Sequence, residues 1–261
     1  MSTISKQKLE DHEKYLKKDL FFTENKWPQF NLLFKDIKKL SKKIPLKSKV
    51  VFLERNLLYG GYSLFAPFFY KNNVISIDCS MKEIKKRGSY NLRFLKSPKI
   101  LKYGSKITNN YKKIKLKNNY ADLIIVPNLM HHVNDYNIFL KECYRVLKKG
   151  GQIYVFEPTF REVHQDPEDF FRFTPNSFKK TLKINKFKIL KINETGGAFS
   201  AAIYCLDQAS QYLPKTIRAK FKKKINQKFV QNFFMFEKKY KKNLVRKYTS
   251  FPTAFSIIGK K

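Results

Sequence analysis

The segment from Asn119 to Pro158 constrains the fold more than any other part of the chain. It reads strand, loop, helix, Gly-Gly turn, strand. Leu123 to Val126 is a short apolar, partly β-branched run, the pattern of a strand buried on both faces. Ile138, Leu140, Cys143, Val146 and Leu147 then repeat at mainly helical spacing. Lys148 and Lys149 suit the last turn of that helix, where the macrodipole favours cations, and Gly150 suits the left-handed position that stops it. Ile153 to Phe156 is the next strand. Two strands joined by so short a helix predict a parallel pair with a right-handed crossover.

A chain of 261 residues is long enough for one decorated domain with a substantial core. It carries 55 Lys plus Arg against 20 Asp plus Glu, a formal net charge of +35. Two readings of that excess stay open. One is attraction to a polyanion such as nucleic acid, anionic lipid or acidic glycan. The other is drift in an AT-biased genome, which enriches Lys, Asn, Ile, Phe and Tyr without selection for charge. Cys79, Cys143 and Cys205 are odd in number, far apart and without paired spacing, which argues against a disulfide framework and a zinc site. No metal is expected. The first residues lack the apolar core of a signal peptide, and no run of about 18 apolar residues occurs. The expectation is a cytoplasmic protein, with peripheral attachment to the inner membrane surface as an option.

The Asn119–Pro158 segment resembles the class I S-adenosylmethionine-dependent methyltransferases, methyltransferase type 11-like. Their pattern is an acidic strand, an LHH loop, an LKE..RVLKPGG helix and a strand ending in an acid and proline. Here it is matched by Tyr120-Ala121-Asp122, Leu129-Met130-His131-His132, Leu140-Lys141-Glu142, Arg145 to Gly151 and Glu157-Pro158. A second run from His164 through Asp166-Pro167, Asp169 and Arg172-Phe173-Thr174-Pro175 resembles methyltransferases of surface-polysaccharide gene clusters. The resemblance implies an α/β fold with a doubly wound, seven-stranded, mostly parallel sheet.

Four parts follow. Residues 1–48 read as a basic, helical N-terminal cap, with helices near 4–19 and 28–43 and Pro45 closing it. Residues 49–200 form the Rossmann-like core. Its strands are Val50 to Leu53, Val74 to Ile77, Leu123 to Val126, Ile153 to Phe156 and Phe187 to Ile192, with Lys99 to Leu101 as the candidate third. Residues 201–250 are a basic helical insertion, and residues 251–261 supply the final strand, Ala254 to Ile258, which by resemblance lies antiparallel beside the sixth. Between Tyr212 and Lys247 there are 13 Lys or Arg and one acid, Glu237, interleaved with Phe221, Phe229, Val230, Phe233, Phe234, Met235 and Phe236. Such a segment can lie on an anionic membrane or hold a polyanion. Alternatively, its aromatics pack on the core while its lysines face water.

A doubly wound fold binds its cofactor beyond the carboxyl ends of the strands, beside the switch in strand order. In the resembled family the first loop carries an acid and then several glycines. Glu54 takes the acidic position, Asn56 and Leu58 stand where two glycines are usual, and Gly60 with Gly61 supply the rest. Asn tolerates a left-handed backbone, whereas a leucine there narrows the pocket. Asp78, followed by Cys79 and Ser80, matches the family's ribose-binding acid; capping the next helix is its other reading. Residues 82–117 hold 13 Lys or Arg and only Glu83 as an acid, so the usual adenine-facing acid is missing. Asn128 and Leu129 would line the methyl end of S-adenosylmethionine.

His131, His132 and His164 are the candidate catalytic residues. Histidine titrates near neutrality and can deprotonate a hydroxyl acceptor; in the resembled proteins the LHH histidines also serve to orient the loop. The expected activity is methyl transfer to a hydroxyl of a small-molecule or glycan-like acceptor. The alternatives are a methyltransferase-fold binding protein with a decayed pocket and a basic surface for a polyanion, or a nucleic-acid methyltransferase. The last is disfavoured by the lack of an Asp-Pro-Pro-Tyr amine site and of a Pro-Cys or Thr-Cys nucleophile.

Overall fold

The computed structural model describes residues 4–21, 27–55, 61–79, 100–164, 167–225, 230, 232, 235–236, 239 and 251–261. Helix α1, Lys6–Tyr15, is capped by the Ser5 hydroxyl, which accepts from the Lys8 amide, and runs into a single π-turn, Leu16–Leu20. Helix α2, Phe30–Lys43, buries Phe30, Leu33, Phe34, Ile37 and Leu40, the stripe a 3.6-residue period brings to one side. The strands are β1 (Lys49–Glu54), β2 (Asn73–Asp78), β3 (Ser105–Thr108) and β4 (Ala121–Pro127). Then come α3 (Tyr136–Val146), β5 (Leu147–Pro158), α4 (Pro175–Ile184) and β6 (Lys188–Thr195). Helices α5 (Ala198–Ala209) and α6 (Lys215–Ile225) precede β7 (Ala254–Lys260).

The seven strands form one sheet in the order β3-β2-β1-β4-β5-β7-β6. All neighbours are parallel except β7, which is antiparallel to both β5 and β6. Order reverses between β1 and β4, which puts the switch point there. Both faces are apolar because successive side chains alternate. Val51, Leu53, Ile124, Val126, Ile153 and Val155 pack in one core cluster with Phe139, Leu140 and Cys143 of α3. Val50, Phe52, Leu123, Ile125, Tyr154 and Phe156 pack in the other with the α2 stripe. Burying each such side chain contributes about 1.5–3 kcal/mol. His12 of α1 is fully buried; its ring lies 2.8 Å from the Leu64 carbonyl and accepts from the Leu101 amide at 3.2 Å, tying the cap to the core.

The sequence reading departs from this structure in two places. The third strand is Ser105–Thr108, not Lys99 to Leu101: Ile100 and Leu101 are irregular, and Lys99 lies outside the described residues. Edge strand β3 is mostly exposed and polar, so it has no apolar run to announce it. The helix before β5 ends at Val146, where Leu147 already pairs with Ala121; Lys148 and Lys149 therefore lie beyond its last turn. Gly150 does take a positive φ of 81°, but inside irregular β5, where its amide donates to the Lys261 carbonyl. In the basic insertion, Phe221 is half-buried and Val230 buried, whereas Met235 and Phe236 are exposed; Phe229, Phe233 and Phe234 lie outside the described residues.

Candidate active site

The carboxyl edge of the sheet gathers most of the residues singled out in the sequence. Glu54 and Asp78 end β1 and β2 and are direct partners in register, so two buried acids stand side by side. The Ser63 hydroxyl donates to Glu54 Oε1, and the Ser63 amide donates to Ser76 Oγ at 2.9 Å, which pins the returning chain. Burial, offset in part by Ser63 and reinforced by the neighbouring Asp78, pushes the Glu54 carboxyl up to about 8. Gly61 has φ 83°, a conformation L side chains rarely adopt. Asn56, Leu58, Gly60 and Ser80 lie outside the described residues.

The chain leaves β4 through Asn128, a non-glycine residue at φ 58°, whose amide donates to the Phe156 carbonyl at 2.7 Å. It then enters a 3-10 turn, Met130–His132. The end of β5 holds that turn. Glu157 is fully buried, and its Oε1 accepts from the Leu129 amide at 2.8 Å and the Met130 amide at 2.6 Å. Its Oε2 lies 2.6 Å from His131 Nδ1. Burial pushes the Glu157 carboxyl up to about 8, while the donors aimed at it pull the other way. The acid-proline motif at the end of β5 is thus a clamp on the histidine turn of β4. Sequence reasoning quoted Glu157 in the motif but gave it no role in the site.

His164, from the loop after β5, closes the cluster. Its Nε2 lies 3.4 Å from His131 Nε2, and its Nδ1 lies 3.2 Å from the Glu162 carbonyl and 3.0 Å from Asp169 Oδ2. His132 Nδ1 donates to the Glu168 carbonyl. Ring centroids are 3.9 Å apart for His131 and His132, 5.2 Å for His131 and His164, and 4.9 Å for His132 and His164. Burial is the first reason all three rings stay neutral, helped by Arg161 at His131 and His164 and by the neighbouring His131 at His132. His131 and His132 are held far below the usual range, and His164 down to about 3. Burial alone would raise Asp169; the Arg172 guanidinium and the His164 amide more than reverse that and keep it ionised.

Arg55 joins the two halves of the edge. It follows Glu54 directly and pairs with Glu168 at 2.5 Å, the residue whose carbonyl orients His132. Glu168 belongs to the acidic and aromatic run that sequence reading offers for an acceptor pocket, but its pairing with Arg55 could not be read because it spans 113 residues. Arg161 approaches Asn128 Oδ1 at 3.4 Å, so the loop after β5 also touches the turn after β4.

Comparison with known proteins agrees with this geometry. Residues 60–155 match the family model described as a methyltransferase domain. A stretch of 47 residues is 38% identical to a candidate polyketide synthase, number 42, of Dictyostelium discoideum; it spans 18% of this chain and 2% of that much longer protein. Among solved structures, the cyclase SpnF is similar with a TM-score of 0.53 and 16% identity, over 90% of this chain and 82% of its own. A candidate sarcosine dimethylglycine methyltransferase of Galdieria sulphuraria gives 0.51 and 14%, over 88% and 84%. A candidate methyltransferase of Bacillus halodurans gives 0.50 and 14%, over 87% and 99%. At such identities the likeness establishes the fold alone, and a cyclase among these neighbours shows that the fold does not fix the chemistry. The family match over residues 60–155, the β4–α3–β5 motif and the seven-strand order support a methyltransferase domain on the Rossmann-like fold of the S-adenosylmethionine-dependent methyltransferases.

Proposed function

We propose that the protein methylates a hydroxyl of a small-molecule or glycan-like acceptor. The observation that carries this reading is the convergence of three neutral imidazoles on the carboxyl edge, immediately after Asn128 and Leu129. Asp78, a buried acid ending β2, suits the ribose hydroxyls of the cofactor. Asn128 and Leu129 border its methyl end, and the turn at Gly61 lets backbone approach. When bound, S-adenosylmethionine supplies a methyl carbon on a sulfonium, and the electrons of the broken C–S bond stay on sulfur as the O–C bond forms.

The chain's part is to hold the acceptor oxygen in line and receive its proton. Each Nδ1 is engaged with an oxygen, so the lone pairs left to face an acceptor belong to Nε2. His164 is the least enclosed of the three, with a side chain 12% exposed. Held down to about 3, it is a weak base toward a neutral hydroxyl. The oxygen becomes strongly acidic once methylated, so deprotonation accompanies or follows transfer. The test is S-adenosylhomocysteine release with a panel of sugars and other alcohols. Hydroxyl methylation with turnover reduced far more than affinity in His164→Gln supports the reading; methylation confined to amine or carbon acceptors contradicts it.

The basic insertion supports a proposed contact with an anionic bilayer. Helix α6 places Lys215, Arg218, Lys220, Lys222, Lys223 and Lys224 beside Ile217, which is 52% exposed, and follows Tyr212, which is 91% exposed. Cations flanking exposed apolar side chains suit a lipid interface. Co-sedimentation with anionic vesicles that weakens with salt supports this contact; equal sedimentation with neutral vesicles contradicts it.

A further inference from the structure

We infer that His131, His132 and His164 form a binding site for one zinc ion. One imidazole nitrogen from each ring lies within 4.8 Å of those of the other two, and among the described residues this is the group of three or more metal-ligating side chains so placed. The 3.4 Å between His131 Nε2 and His164 Nε2 is the telling distance. Two nitrogens bound tetrahedrally to zinc at about 2.0–2.1 Å stand about 3.3 Å apart. At that separation a single zinc ion can bridge the two nitrogens, the alternative being an N–H···N hydrogen bond between the two rings.

The surroundings are those of a ligand set. A metal-binding histidine offers one ring nitrogen while the other donates to a carboxylate or carbonyl, which fixes tautomer and orientation. All three rings have that second partner: Glu157 Oε2 for His131, the Glu168 carbonyl for His132, and the Glu162 carbonyl with Asp169 for His164. Two supports are themselves fixed, Glu157 by the Leu129 and Met130 amides and Asp169 by Arg172. Three nitrogen ligands, with no cysteine among them, leave the fourth tetrahedral position open, as in catalytic rather than structural zinc sites. Two of the three nearby arginines are paired with acids, Arg55 with Glu168 and Arg172 with Asp169. All three histidines are sequence candidates for catalysis, but no metal is expected from the sequence, because the usual cysteine and histidine spacings are absent and His164 lies 33 residues from His131.

With zinc bound, the fourth position would take the oxygen of the acceptor hydroxyl, and its proton would be lost to water, because His164 Nε2 is then a ligand and no longer the proton acceptor of the metal-free reading. This use rests on the methyl-transfer reading above; the site itself does not. The experiment is a calorimetric titration of chelator-stripped chain, without a polyhistidine tag, using zinc chloride, followed by cobalt chloride as a spectroscopic probe. The expected result is saturation at one ion per chain and the strong visible absorption of tetrahedral cobalt. His164→Gln should abolish the tetrahedral absorption, and Glu157→Gln, which turns an amide NH2 toward His131 Nδ1, should weaken zinc about 10–100-fold. Circular dichroism identifies any variant that has lost its fold; His164→Gln, the least enclosed ring, then remains the decisive one. Zinc binding by folded His164→Gln at wild-type strength, or no saturable binding by wild type, overturns the proposal. S-adenosylmethionine is titrated separately into the same stripped protein, so failure of either reading is seen without the other.

Discussion

The two halves of the carboxyl edge are built differently. On the β4–β5 side, side chains do the holding: one buried carboxylate grips two amides and an imidazole, and each ring has a second oxygen partner. On the β1–β2 side, two buried acids stand next to each other, and Glu54 has a single hydroxyl aimed at it among the contacts described. In the sequence, the loop expected to hold the cofactor has Asn56 and Leu58 where the resembled family pattern has glycines, and both lie outside the described residues. The β4–β5 half is therefore preorganised by a network, whereas the β1–β2 half, which in the proposed function receives the cofactor, would rely on Asp78 and on backbone approach.

That contrast can be broken at four points, from the largest expected effect to the smallest. Asp78→Ala should remove measurable S-adenosylmethionine binding while leaving the fold and the histidine cluster intact; retained affinity in calorimetry would refute the placement of the cofactor. Glu157→Ala should cost about 2–4 kcal/mol in denaturant unfolding, because it strands two amides and a buried imidazole. A loss under about 0.5 kcal/mol, the range of ordinary surface changes, would mean that the clamp is not structural.

The third point is pH. His164 has a folded pKa of about 3, below the ordinary 6.5, so between those values the unfolded chain binds the extra proton. Stability attributable to His164 is complete above pH 6.5 and falls as pH drops toward 3. Wild type, stripped of metal, should lose stability relative to His164→Gln over that window by up to about 1.4 kcal/mol per pH unit. Parallel pH curves for the two proteins would show that the ring is not held neutral. Last, Leu58→Gly should preserve or modestly raise cofactor affinity if the leucine merely narrows the pocket; a marked loss in the same titration would show that the loop uses the side chain.

Legibility followed the same division. The β4–α3–β5 unit was readable because its apolar periods are strong, although the Gly-Gly pair read as a helix stop lies inside β5. Asp78 was readable because it directly ends an apolar strand. The third strand was not, since Ser105–Thr108 lies at the edge and buries almost nothing. The end of α3 was misplaced because Leu147, apolar and in helical phase, is recruited into pairing with Ala121. The three histidines could be named from sequence, but their convergence could not. It depends on contacts between Glu157 and the turn 26–28 residues earlier, and between His132 and Glu168, 36 residues away. Arg55, the link between the halves, had no local signal at all.

The most direct test of the account is titration of the purified chain with S-adenosylmethionine and S-adenosylhomocysteine, by calorimetry and thermal unfolding. Saturable binding is expected, with about 2.7 kcal/mol of added stability at a ligand concentration near 100 times the dissociation constant. No binding and no stabilisation at millimolar ligand, in a folded protein, would contradict it and leave the carboxyl edge without its cofactor.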